Sequence, residues 1–127
     1  MIVLDENIRT KQAELLRGFG VSSRKIGVDL AAKGTSDADI IPLLHRLNQP
    51  TLFTLDTDFW KANLRHDGYC IAYLDVEPQE AAEYIRRFLR QASFNTSAKR
   101  LGKVVHIHAD GISYFAAGGR KVHSVAW

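Results

Sequence analysis

The sequence predicts an α/β fold: a three-layer α/β/α sandwich on a mostly parallel central sheet, closing in a C-terminal β-hairpin. Three observations lead there. Short apolar runs at residues 1–4, 52–55 and 69–74 alternate with segments of helical periodicity. The run at residues 69–74, Tyr-Cys-Ile-Ala-Tyr-Leu, is apolar throughout, the pattern of a strand covered on both faces. Asp110-Gly111 separates two further strand-like runs and is a strong hairpin signal. With 127 residues the chain is one domain, residues 1–127, large enough to bury a core without staples, with the hairpin as an extension from about residue 103.

In chain order, the opening strand Met1-Ile2-Val3-Leu4 meets Asp5-Glu6-Asn7, and residues 7–19 place Ile8, Leu15, Leu16 and Phe19 near helical spacing. Asn7 suits the cap of that helix, and Gly18 or Gly20 its stop. Arg24-Lys25-Ile26-Gly27-Val28 reads as a short second strand. After Gly34-Thr35-Ser36-Asp37, the residues Ile40, Ile41, Leu43, Leu44 and Leu47 give a helix with a broad apolar face. Pro42 leaves its start open: with Ser36 as the cap the proline is interior, and with Asp39 as the cap it falls in the first turn. Asn48-Gln49-Pro50 turns into the central strand Leu52-Phe53-Thr54-Leu55, and residues 59–67 form a short helix or loop before Gly68. Pro78 starts the best helix, with Ala81, Ala82, Ile85, Phe88, Leu89 and Ala92 inward and a basic outer side of Arg86, Arg87 and Arg90. Residues 95–102 are a polar, basic connection. Residues 104–108 and 112–115 then flank the hairpin turn, and Gly118-Gly119 turns the chain into residues 122–127.

Charge and cysteine content narrow the setting. A net charge of +3 suits a polyanion partner without requiring one. The single cysteine, Cys70, excludes an internal disulfide and fits a reducing compartment. Apolar runs stay well short of the roughly 18 residues of a membrane span, and Met1 leads into a strand without a basic leader, so the expectation is a cytoplasmic protein with no membrane partner.

Chemistry concentrates in carboxylates. Asp56 and Asp58 follow the central strand, Asp5 and Glu6 follow the first, and Asp37 starts a helix. Ligands of open parallel sheets bind outside the carboxyl ends of the strands, so these acids are candidates for one cleft. Oxygen donors without His or Cys favour Mg²⁺ or Mn²⁺ over Zn²⁺. Helix capping competes as an explanation for Glu6, Asp37 and Asp58, but less well for Asp5 and Asp56, which end apolar strands where an uncompensated charge is costly. Crowded acids repel one another without metal, so neutralising Asp5 or Asp56 is expected to leave the fold intact or stabilise it. His106 and His108 share a strand face and read as an exposed hairpin face. Trp60 could stack on a base, although packing against its own helix is the commoner use of such a residue.

Three blocks together, Leu4-Asp5-Glu6-Asn7, Gly34-Thr35-Ser36-Asp37 and Thr54-Leu55-Asp56-Thr57-Asp58-Phe59, resemble the compact PIN-like domains related to the Mut7-C ribonuclease domain, commonly found as toxins of bacterial toxin–antitoxin pairs. The similarity covers roughly residues 1–75. It implies a metal-dependent ribonuclease with catalytic roles at Asp5, Asp37, Asp56 and Asp58, and with Glu6 as a further metal ligand. RNA is then the expected substrate, contacted by Arg86 and Arg90, and an antitoxin protein an expected partner. The apolar end with Trp127 favours a homodimer. Two other readings stand beside it. A catalytically inactive module would bind nucleic acid or an acidic protein through Arg86, Arg90 and their basic neighbours. A receiver-like domain also places acids after its first and third strands, but it needs a hydroxyl after the fourth strand and a lysine after the fifth, where this chain has Asp75-Val76 and Ala109.

Overall fold

Parallel strands β1 (Ile2–Leu4), β2 (Arg24–Lys25), β3 (Thr51–Thr54), β4 (Cys70–Leu74) and β5 (Val104–His108) continue into antiparallel β6 (Gly111–Phe115) and β7 (Val122–Val125). They form one seven-stranded, mostly parallel sheet in the order β2-β1-β3-β4-β5-β6-β7, with four α-helices among the described residues: α1 (Thr10–Gly18), α2 (Asp37–Arg46), α3 (Ala81–Arg90) and the single turn α4 (Ser97–Arg100). The computed structural model describes residues 1–116 and 118–127; Ala117, within the tail expected after the hairpin, lies outside the described residues.

Side-chain alternation along the strands divides the apolar residues between two cores. On one side Leu4, Phe53, Ala72, Val105 and Ile112 meet Leu16 of α1 and Ala82, Ile85 and Phe88 of α3. On the other, Val3, Leu52, Ile71 and Val104 meet Ile40, Leu43 and Leu44 of α2 together with Phe59. The first core is rich in rings: Phe53 meets Phe88 edge to face at 5.7 Å, and Phe88 stacks on Phe94 at 4.9 Å. Each such fully buried ring contributes roughly 1.5–3 kcal/mol.

Local sequence explains most element ends. Gly20, at φ +84°, stops α1 by letting Val21 N–H reach the Leu16 carbonyl and Gly20 N–H that of Arg17, the Schellman arrangement. Ser36 is the residue before α2, so Pro42 is interior and the Ala38 carbonyl loses the donor it would have had from residue 42. Three expectations need correction. Asn7 caps no helix; α1 starts three residues later, after Arg9, and Asn7 serves another purpose described below. The second strand covers Arg24–Lys25 alone, because Gly27 at φ +86° turns the chain into a bridge between Ile26 and Leu30. The basic connection at residues 95–102 contains α4 and a buried Arg100, whose guanidinium donates to Thr51 Oγ1 at 2.9 Å and to the Phe94 carbonyl at 2.9 Å.

One connection is topologically unusual. The β1-α1-β2 and β4-α3-β5 crossovers lie on the same face of the sheet, since α1 and α3 share a core, yet they step across the sheet in opposite directions. They therefore have opposite hands, and one of them departs from the right-handed rule that governs nearly all such units. With α3 on the α1 side, α2 is the one α-helix among the described residues that contributes to the second core, which Phe59, Trp60 and Leu64 of the following segment complete. No helix among the described residues is long and apolar enough to cross a membrane.

Candidate metal centre

Strand order places the site. The chain leaves β1 towards β2 on one side and the later strands lie on the other, so the carboxyl ends of β1 and β3 border the crevice at a topological switch point, where open α/β sheets bind ligands. Leu4 pairs with Phe53 across these strands, and the next residues, Asp5 and Thr54, follow side by side.

Asp5 is buried, and both of its oxygens are engaged: Oδ1 accepts from Glu6 N–H at 2.7 Å and Oδ2 from Thr54 Oγ1 at 2.7 Å. The Thr54 hydroxyl in turn accepts from Asp56 N–H at 3.1 Å and from Asn7 Nδ2 at 3.4 Å, while Asn7 Oδ1 accepts from Leu55 N–H at 3.2 Å. Asn7 thus fixes the strand end that carries the acids. Asp56 Oδ1 accepts from Asp58 N–H at 2.9 Å and so caps the 3₁₀ turn Thr57–Phe59, which bends Asp58 back beside it.

From the far side, the first turn of α2 brings Asp37. One carboxylate oxygen from each of Asp37, Asp56 and Asp58 lies within 4.8 Å of the others. Partial burial raises the Asp37 pKa, and the charges of Asp56, Asp5 and Asp58, with a hydrogen bond to Asp56, raise it further. Three carboxylate oxygens at this separation, all hard donors, suit a divalent ion such as Mg²⁺ or Mn²⁺. Three acidic residues here could therefore bind a metal ion.

The remaining predicted site residues go elsewhere. Asp5 stands beside the three acids, close enough for its charge to act on Asp37, but reaches them through Thr54 and is not one of the three. Neutralising Asp5 would relieve repulsion, the effect expected from the sequence, and would also remove an acceptor from one of these two short hydrogen bonds. Glu6 is outside the group: both carboxylate oxygens accept from Gly34 N–H, at 2.7 and 2.9 Å, so it holds the loop before α2. Arg86 lies on α3, on the other face of the sheet from α2, with its guanidinium 4.6 Å from the centre of the Phe19 ring and 3.9 Å from Glu83; Arg90 is exposed at the end of the same helix.

Thr54 and Asn7 are the members that sequence reasoning missed. A threonine closing an apolar strand two residues before an acid was the available signal for Thr54. A cavity of about 280 Å³ adjoins the group, lined by Asp37, Asp58, Ala38, Ile41, Phe59, Leu64 and Lys61. Comparison with protein-family models, with curated proteins and with solved structures gives no match.

Proposed function

We propose that the chain is a metal-dependent endoribonuclease with a PIN-like three-layer α/β/α fold and a C-terminal hairpin, acting as the toxin of a toxin–antitoxin pair. The observation that carries the reading is the convergence of Asp37, Asp56 and Asp58 at the switch point, with buried Asp5 beside them. Those three acids would hold Mg²⁺ or Mn²⁺, with Asp5 and Thr54 fixing Asp56. Such an ion, when bound, activates water and offsets the charge that builds on a phosphodiester under attack. Lys61, on the rim of the adjoining cavity, supplies a cation for a substrate phosphate. RNA is the substrate class that the resemblance implies, and the residues on α3 play a lesser part, because Arg86 is occupied by Phe19.

The strand order β2-β1-β3-β4-β5 is also that of receiver-like domains, which keeps that reading in view. It lacks the required hydroxyl after β4 and lysine after β5. The deciding experiment pairs RNA cleavage in Mn²⁺ with Mn²⁺ titration calorimetry on wild type and Asp56→Asn. We expect the variant to lose cleavage and to bind Mn²⁺ at least tenfold more weakly; undiminished cleavage or equal binding by folded variant protein would refute the assignment.

A further inference from the structure

Beside the acids, towards β6, the sheet face of the second core carries a row of rings. Tyr73, His106 and Ser113 stand opposite one another across β4, β5 and β6, and Ile71, Val104 and Phe115 form the next row on the same face. Trp60, two residues after Asp58, lies over them. Its indole stacks on Phe115 at 4.5 Å with 26° between planes and meets His106 at 5.2 Å. Tyr73 stacks on His106 at 5.1 Å, and His108 meets the edge of His106 at 5.2 Å. Asp75 holds His106 in place through Nε2 at 3.0 Å. Trp60, His106, His108, Ser113 and Phe115 are all half-buried, so they meet solvent along one surface.

The geometry points to a binding subsite for an unpaired nucleobase of a single-stranded RNA, formed by Trp60, His106 and Phe115 next to the carboxylates. This rests on the ribonuclease reading for its choice of polymer. Two features favour a base over another apolar ligand. Half-buried rings at the margin of a sheet face are a surface on which unstacked bases settle, with side-chain polar atoms at hand to meet base edges, here Ser113 Oγ and His106 Nδ1. The charges are also arranged for a strand of phosphates. The Tyr73 end borders the acids, since Tyr73 pairs with Thr54 across β3 and β4, two residues before Asp56. The Phe115 end has Arg65, whose guanidinium donates to the neighbouring Ala116 carbonyl at 3.1 Å, with Arg120 and Lys121 exposed before β7. A strand laid from the acids towards β6 would place a phosphate near the metal ligands, a base on Trp60 and its next phosphate near these cations.

The test uses the full chain carrying Trp127→Phe, which leaves Trp60 as the one indole. In EDTA, an unpaired RNA octamer should quench Trp60 fluorescence saturably, whereas a duplex of the same sequence and an abasic octamer should not. Trp60→Leu, which keeps an apolar side chain over Phe115 but no π-face, should bind a labelled octamer about tenfold more weakly by anisotropy, in line with the loss of one stacked base. His106→Ala is the second variant, expected to weaken binding severalfold should Trp60→Leu fold poorly. Equal quenching by the duplex or the abasic strand, or wild-type affinity in both folded variants, would overturn the proposal. The outcome separates from that of the nuclease reading. Cleavage lost in Asp56→Asn with wild-type KM in Trp60→Leu removes the subsite alone. Saturable, base-dependent quenching by a protein that cleaves nothing in Mn²⁺ removes the nuclease alone.

Discussion

Two substitutions that remove the same charge from the same cleft should move stability in opposite directions. In Asp5→Asn the shape is kept, but the amide nitrogen that replaces one oxygen cannot accept the Thr54 hydroxyl proton, and a buried hydrogen bond of 2.7 Å to a charged group is lost. Such bonds contribute about 1.5–3 kcal/mol. At ~2.1 cal/mol/K per residue, the unfolding entropy of a domain this size is roughly 0.27 kcal/mol/K, so a loss of ~2 kcal/mol lowers Tm by about 7 °C. In Asp37→Asn the residue is exposed, the hydrogen bond to Asp56 can still form through the amide, and repulsion from Asp56, Asp5 and Asp58 is relieved. Solvent screens that gain to a few tenths of a kcal/mol, a rise of about 1–2 °C. Because the folded-state pKa of Asp37 is raised above its unfolded value, its ionisation costs folded-state stability as pH rises from the unfolded value through the folded one. The gain from Asp37→Asn should therefore be present at pH 7 and vanish in acid, where both proteins are neutral at this position. Calorimetric melts in EDTA across this pH range measure all three effects. A rise in Tm for both variants would show that repulsion outweighs the Asp5 hydrogen bonds and would refute the division of roles.

Arg100→Ala, which leaves the Phe94 carbonyl without its guanidinium donor and opens a gap under α4, should lower Tm by about 8–12 °C, and Arg100→Lys should not restore it because an ammonium cannot span both acceptors. Burial pushes the Cys70 thiol up to about 12, so the native protein should give no fast reaction with a disulfide reagent at pH 8 and one full equivalent after denaturation. Gly111 has φ +150°, and a Cβ there would lie 2.8 Å from the Val125 carbonyl oxygen, so Gly111→Ala should cost about 1–3 kcal/mol. Gly18→Ala, at a helical position with open space around it, should instead raise Tm by about 2–3 °C in the same melts.

What could be read beforehand followed local pattern. The acids after β1 and β3 were legible because an apolar run ending in a carboxylate is a contrast between neighbours, and α3 was legible from its spacing. Residues whose role depends on a distant partner were not. Glu6 looks like a further acid of the cluster until Gly34, 28 positions on, is seen to occupy both its oxygens. His106 looked like an exposed strand face because its partner Asp75 is 31 positions away. Arg100 read as one more base in a solvated connection, although its stem and guanidinium are buried against Thr51 and Phe94. Periodicity also carries no record of which face a helix will cross, so the placement of α3 with α1 could not be foreseen.

The pairing of β1 with β3 also sets an order of events while the chain is being made. Asp5 has no hydroxyl to bind until Thr54 has been synthesised, and Val3 has no strand beside it on that side until Leu52 follows. At about 5–20 residues per second, the first strand waits on the order of 3–10 s for its neighbour. All the carboxylates of the centre then assemble together, within the first half of the chain, but β3 starts at the threonine that Arg100 holds. A nascent chain that has reached residue 60 therefore carries every acid of the site and not yet the clasp at the other end of its central strand.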